Sequence, residues 1–444
     1  MRDILTNVCF ALLLISSTLS AEPLSTQRFK LSFVPYKTPT KYEKAFATVD
    51  FTFGLSPNTQ ILPLRPDLSA GASLVGIQGD NLNDWGLTGC LATGSTGDSK
   101  CEYSVTISSK KYFERTYTTN DLQVPMQYPG QAGADLNSRM SFGGLSSRSE
   151  SGKAVFPLGA TGVLSLAPTS SFYQWMFTQH SSPNTIVGLD LKLARLGSWW
   201  DSTSNIYVEP SSLILSGEVK YAKSITNLTL PTDITHWSVP SASLSLGDEK
   251  IVDGQLVCFT NAISNTITVD PSYTLLEKIN KAICNSDKPC SADDNRVPRQ
   301  GSDIFTKLTI NMELKSTGED KSAKLIIVPD VFMYSAGGSI NADMNGDFAS
   351  IIAQQICPPN TKIILGRNFF SLYTTHFSVS KSDGKKMIYL EKKKIIKEMS
   401  PSEKVLVLTL GLGMVGLCAV VLAIKYIVDG KTSSPDEYAA AAQN

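Results

Sequence analysis

Histidine is scarce in this chain: 444 residues contain three, His180, His236 and His376, far apart in sequence. No CxxC pair or Cys/His cluster is present, so the usual zinc-ligand spacings are excluded. Gly-x-Ser-x-Gly, HExxH and phosphate-loop motifs are also missing, which removes the serine-hydrolase elbow, the zincin helix and the P-loop. Excess charge of either sign is lacking, since 40 basic residues balance 40 acidic ones. The chain therefore has no global field to draw in nucleic acid. No repeat of 20–50 residues stands out. A hydrophobic fraction of 42% excludes a mostly disordered or collagen-like chain. No cofactor and no metal are expected.

The two ends carry the long apolar runs. Met1-Arg2-Asp3, an apolar stretch from Val8 to Ile15 and small residues up to Ala21 have the layout of a secretory signal peptide over residues 1–21. Val405 to Ile424 is uncharged and apolar. At 1.5 Å per residue it covers about 30 Å, the thickness of a hydrocarbon core. This gives an expected transmembrane helix over 405–427 and a polar cytosolic tail over 428–444. Lys392, Lys393, Lys394, Lys397 and Lys404 mark residues 391–404 as a basic, solvated stalk. Lysines on that side run against the positive-inside rule, but long folded domains translocate largely regardless of charge. The expectation is a single-pass type I protein of the cell surface or endomembranes.

Cysteine usage agrees with export. Apart from Cys9 and Cys418 in the apolar ends, Cys90, Cys101, Cys258, Cys284, Cys290 and Cys357 are the disulfide candidates. Six cysteines allow 15 pairings, and the sequence does not choose among them. Cys90 and Cys101 flank one Gly/Ser-rich loop and are the natural local pair. The sequon Asn227-Leu228-Thr229 makes Asn227 a glycosylation site in the secretory route.

Between the ends, short alternating or β-branched runs recur: Ala47–Gly54, Tyr103–Ile107, Ile186–Leu191, Leu213–Leu215, Ser238–Leu246, Leu308–Leu314, Lys324–Val328, Lys362–Leu365 and Tyr373–Val379. Gly, Pro, Asn and Ser clusters separate them, which reads as a mainly β fold over residues 22–390. Helix is expected at Ser171–Gln179 and Tyr273–Cys284, and long polar loops at Gly130–Ser151 and Ser286–Gly301.

Several segments, in order, resemble the pepsin-like aspartic peptidases. Val49 to Gly54 with Pro57 and Gln60 is similar to that family's first strand and turn. Ala160 to Ala167 is similar to its "DGILGLA" segment, and Ser212 to Gly217 to its "LTFGG". Trp237 and the strand after it, then Ile364-Leu365-Gly366 through Phe377, complete the series. The resemblance implies two β-rich lobes facing a cleft, the N-lobe at about 28–210 and the C-lobe at about 211–390.

Catalysis in that family needs two carboxylates sharing one proton, each in a "DTG" turn. The resemblance places Asp67 at the first position, followed by Leu68 and Ser69 instead of Thr and Gly. Prolines in Pro63-Leu64-Arg65-Pro66 interrupt strand pairing, so Asp67 reads as a solvated loop aspartate. At the second position the resemblance places Ala262, which cannot carry a proton; Asp270, before Pro271, reads as a turn residue. The flap tyrosine and glycines are replaced at Thr106-Ile107-Ser108-Ser109. The expectation is a catalytically degenerate member of the family that binds a peptide, protein or glycan. The alternatives are an active endopeptidase with an atypical dyad such as Asp67 plus Asp270, and a structural surface-coat component.

Overall fold

Strand-forming runs organise the chain into three large sheets. The computed structural model describes residues 26–36, 44–54, 59–76, 107–112, 115–128, 139–148, 161–196, 205–207, 211–218, 225–284, 307–318, 321–336, 339–342, 344, 348–353, 355–393 and 396–398. Two compact units are present, Met1–Ile396 and Lys397–Asn444, and every element below belongs to the first. The expected signal peptide, membrane helix and tail, together with Cys90, Cys101 and Cys290, lie outside the described residues. Among the described residues no helix is long and apolar enough to cross a membrane.

The first sheet has eight strands: β2 (Ser32–Tyr36), β3 (Lys44–Phe53), β4 (Gln60–Asp67), β5 (Leu74–Gly76), β6 (Ile107–Tyr112), β7 (Arg115–Gln127), β8 (Arg139–Arg148) and β9 (Gly162–Ser165). The second has six, in the order β1 (Gln27–Lys30), β13 (Ser212–Ser216), β10 (Asn184–Asp190), β23 (Tyr373–Ser380), β24 (Lys386–Lys392) and β14 (Ile225–Leu230). It therefore takes strands from both halves of the sequence. The third, also six-stranded, joins β15 (Ser238–Leu246), β16 (Glu249–Phe259), β17 (Ile267–Val269), β18 (Ile310–Lys315), β19 (Ser322–Ile327) and β22 (Ile363–Leu365). β11 (Leu193–Leu196) also pairs with β12 (Asn205–Tyr207), and β20 (Met333–Ala336) with β21 (Ser339–Ala342). The helices whose bounds fall among the described residues include α1 (Ser171–Gln179), α2 (Leu275–Cys284), α3 (Pro329–Phe332) and α4 (Phe348–Ala353).

Local chemistry explains most boundaries. In β3, Val49, Phe51 and Phe53 point into the core, and of the alternate positions Asp50 is exposed while Thr48 and Thr52 are covered. Helix α1 is capped by the Ser170 hydroxyl, which accepts from the Phe172 N–H. It buries Phe172, Tyr173, Trp175, Met176 and Phe177, and turns the polar stripe Ser171, Gln174 and Thr178 away from the core. Helix α2 begins at Leu275, later than the expected Tyr273, because Pro271–Tyr273 form a 3-10 turn and Thr274 has φ of 52°.

Two sequence expectations are corrected here. The stretch Gly130–Ser151 contains a ten-residue strand, β8, pairing with β7 and β5. Met140 and Phe142 supply its buried face, and Gly143 and Gly144, expected in a turn, lie in the ladder against Leu74 and Val75. The proline-bearing stretch 63–66 is also a paired strand, β4, between β3 and β9. Its prolines are tolerated because the β3 register ends at Leu64, before Pro66, whose carbonyl accepts from Asn261, while the Pro63 carbonyl takes the Thr161 N–H.

Trp237 ties the halves together. Fully buried, it donates from Nε1 to the Leu166 carbonyl at 2.6 Å and packs on Tyr173 and Phe377. The third sheet's outer strand β19 is capped where the Tyr373 hydroxyl accepts from the Ile326 N–H at 2.8 Å, a local guard against edge-to-edge pairing.

Candidate functional site

Two strand ends meet where β4 and β16 run out. β4 pairs in parallel with β9, Pro66 opposite Leu164 and Asp67 opposite Ser165, and β16 pairs in parallel with β22, Phe259 opposite Leu365. The same construction thus occurs twice, and the residue following Phe259 that matches Asp67 is Thr260, two places before Ala262. Its N–H donates to the Leu365 carbonyl at 3.0 Å, whereas on the first ladder the Asp67 carbonyl accepts from the Leu166 N–H at 2.8 Å. Close approach fixes two glycines on the partner strands: a Cβ on Gly162, which opens β9, would stand 2.2 Å from the Leu74 carbonyl oxygen, and one on Gly366, just past β22, would stand 2.1 Å from that of Asn265.

Asp67 is 0% exposed, so the expected solvated loop aspartate is corrected to a buried one at a strand end. Its Oδ1 accepts from the Ser69 N–H (2.9 Å), the Ser69 hydroxyl (2.7 Å) and the Ala70 N–H (3.2 Å). Its Oδ2 is paired with the Arg65 guanidinium, itself buried. Alternation along β4 places residues 65 and 67 on one face, which is why arginine and carboxylate meet.

The second turn reaches across to the first. Asn261 donates from Nδ2 to the Pro66 carbonyl at 2.7 Å, and its Oδ1 accepts from the Leu68 N–H at 2.9 Å. One amide therefore satisfies the backbone on both sides of Asp67. The Ser69 proton is directed at Asp67, so Thr260, 3.1 Å from Ser69 Oγ, donates to it, and Thr260 Oγ1 accepts in turn from the Ala262 N–H at 3.1 Å. A single run of donors leads from Ala262 through Thr260 and Ser69 to the carboxylate.

Among the described residues, no second carboxylate hydrogen-bonds to Asp67 or pairs with it. Asp270 caps the 3-10 turn, accepting from the Ser272 N–H at 3.0 Å and pairing with Lys362 at 2.6 Å; it shares no partner with Asp67. Hydrogen bonds from Lys362 and Ser272 hold its carboxyl below the usual range. Of the histidines, His376 is buried in β23, and burial together with Arg28 lowers its pKa to about 4. His236 reaches the Gln355 carbonyl at 3.0 Å, and His180 lies 2.5 Å from the Tyr128 hydroxyl. No group of three metal-ligating side chains occurs among the described residues.

Of the cysteine candidates, Cys258 and Cys357 form a disulfide with Cα atoms 5.9 Å apart, both buried. It holds β16 two residues before Thr260. Cys284 ends α2. Asn227 lies half-buried in β14, opposite Tyr389 of β24. The lysine run is not all stalk: β24 extends to Lys392, and the Lys393 ammonium donates to Asp190 Oδ1 (3.0 Å) and to the Phe370 and Leu191 carbonyls. Lys394 and Lys404 lie outside the described residues. Flap residues 107–109 start β6, and Thr106 falls outside the description.

Sequence reasoning missed Arg65, Thr260 and Asn261 as a set. The signal present was Arg65 two places from Asp67 on one strand, and an asparagine in the second turn. A comparison with protein-family models finds none that matches this chain, and a comparison with curated proteins finds no match either.

Proposed function

We propose that this chain is a single-pass, type I membrane protein whose outer part is a two-lobed, pepsin-like aspartic peptidase fold that binds a peptide, protein or glycan instead of cleaving it. The N-lobe is 28–210 and the C-lobe 211–390, joined through the sheet that draws strands from both. The doubled β4/β9 and β16/β22 construction supports that reading, because the family's two halves are copies of one motif. The signal peptide, the 405–427 span and a glycan on Asn227 are parts of the same proposal.

One observation carries the loss of catalysis. Asp67 faces a threonine hydroxyl chain where the reaction needs a second carboxylate, and its oxygens are engaged by Arg65, Ser69 and Ala70. A proton-sharing pair requires two acids in contact. Without that pair no base activates water while an acid protonates the leaving amine.

The test is peptide cleavage by the purified full-length protein at acid pH. No turnover above buffer is expected. Turnover that Asp67→Asn abolishes would establish the active endopeptidase instead. Saturable binding of a displayed peptide or glycan separates a receptor from a surface-coat component, which would show none.

A further inference from the structure

The three large sheets present six outer strands, β1 and β14, β2 and β6, β17 and β19. An outer strand offers unpaired N–H and C=O groups to any other strand, and proteins blunt it with charge, proline or brevity. Five of the six are blunted in that way. β1 exposes Arg28 and Lys30, and β19 exposes Lys324. The sequence of β6 holds Lys110 and Lys111, that of β2 holds Pro35, and β17 has three residues. β14 is the exception. Its sequence, Ile225-Thr226-Asn227-Leu228-Thr229-Leu230, has no charge, proline or glycine and is rich in β-branched residues, the composition that pairs most readily.

The ladder shows which groups of β14 point outwards. Its ladder partner is β24, and successive residues of an antiparallel strand turn their backbone groups alternately towards the partner and away from it. Thr229 turns them away: its N–H donates to the Ser316 hydroxyl and its carbonyl accepts from the Thr317 N–H, both at 3.0 Å. Asn227 and Ile225, two and four places earlier, therefore face outwards as well. Among the described residues neither has a backbone partner on that side. Leu228 and Leu230 are buried, whereas Asn227 and Thr229, on the opposite face, are half-buried.

We infer that the glycan on Asn227 guards this edge, and that the strand it keeps away is β14 of a second copy of the chain. A two-fold axis would set Ile225 of each chain against Asn227 of the other, each pair exchanging both of its backbone bonds. No charge on the strand repels its own copy. A glycan is bulky and hydrated, and on Asn227 it stands beside the place that an incoming strand must take. The sugar does here what lysine and proline do on the other edges. This inference rests on the reading of Asn227 as glycosylated.

The test is the protein mass, by light scattering after gel filtration, of the full-length chain made through the secretory route and held in detergent. Wild type should be monomeric and Asn227→Gln should shift to a dimer. Asn227→Lys, which lacks the sugar but puts charge on the edge, should stay monomeric. Equal masses for wild type and Asn227→Gln, or a dimer formed by the Gln and Lys variants alike, overturn the inference. A wild type with no glycan to remove is a different failure, since it overturns the reading of the sequon and this inference with it. Should Asn227→Gln not fold, the folded glycoprotein trimmed by an endoglycosidase to a single N-acetylglucosamine should show the same shift, and an unchanged mass overturns the inference.

Discussion

Asn261 replaces what would otherwise be two unpaired backbone groups, the Pro66 carbonyl and the Leu68 N–H. Removing its amide leaves both without that partner, and each buried orphan costs about 1–3 kcal/mol. Asn261→Ala should therefore lower the denaturation midpoint by an amount equivalent to roughly 2–4 kcal/mol, read by urea unfolding. Arg65 and Asp67 make a sharper case. Arg65→Met strands a buried carboxylate and should cost about 3–5 kcal/mol. Adding Asp67→Asn to it should recover part of that loss. A double-mutant cycle that shows simple additivity would mean the two side chains do not act as a pair.

At the scale of elements, the disulfide closes a loop of sequence separation 99 and fastens β16 just before its turn. Native bridges of this kind contribute about 2–5 kcal/mol, so Cys258→Ala with Cys357→Ala should lower stability by that order in the same unfolding assay. Much of the element pattern was legible beforehand. Ser238–Leu246 and Ser171–Gln179 match the observed bounds because one shows a two-residue period and the other groups its apolar residues around a polar stripe at Ser171, Gln174 and Thr178. β4 and β8 were not legible, and for related reasons. Prolines and glycines within them signal turns locally, but parallel partners far along the chain supply the pairing that makes them strands. Asp67 was legible as a position and illegible as an environment. Its partner Arg65 is near in sequence, yet Thr260 and Asn261 come from a turn almost two hundred residues away.

For the whole molecule, the six-stranded sheet built from both halves sets the response to acid. Asp190 lies in it between Arg28 and Lys393. Burial raises its pKa, but Lys393 and Arg28 outweigh that and hold it below the ordinary value. His376 faces Gly188 across the ladder, close to Arg28 and Asp190, and its pKa is pulled down to about 4. Its unfolded form takes up a proton near pH 6.5, while the folded form waits until about pH 4. Stability should thus fall between those values by roughly 3 kcal/mol, and His376→Gln should flatten that slope in unfolding curves measured by pH. Below it the Asp190 contribution, present above about pH 3.9, is lost as its own lower folded pKa is passed. At the same scale, expression through the secretory route should give a band that an amidase specific for N-linked glycans shifts, and Asn227→Gln should remove the shift.

Lys393 has a mechanical consequence. This first residue after β24 has its ammonium bound to one carboxylate and two carbonyls. Tension on the polypeptide beyond it does not begin by unzipping β24 one rung at a time. Traction that reaches Lys393 meets the Asp190 anchorage before β24 and is passed to β10 as shear, so β24 should resist being peeled from that end.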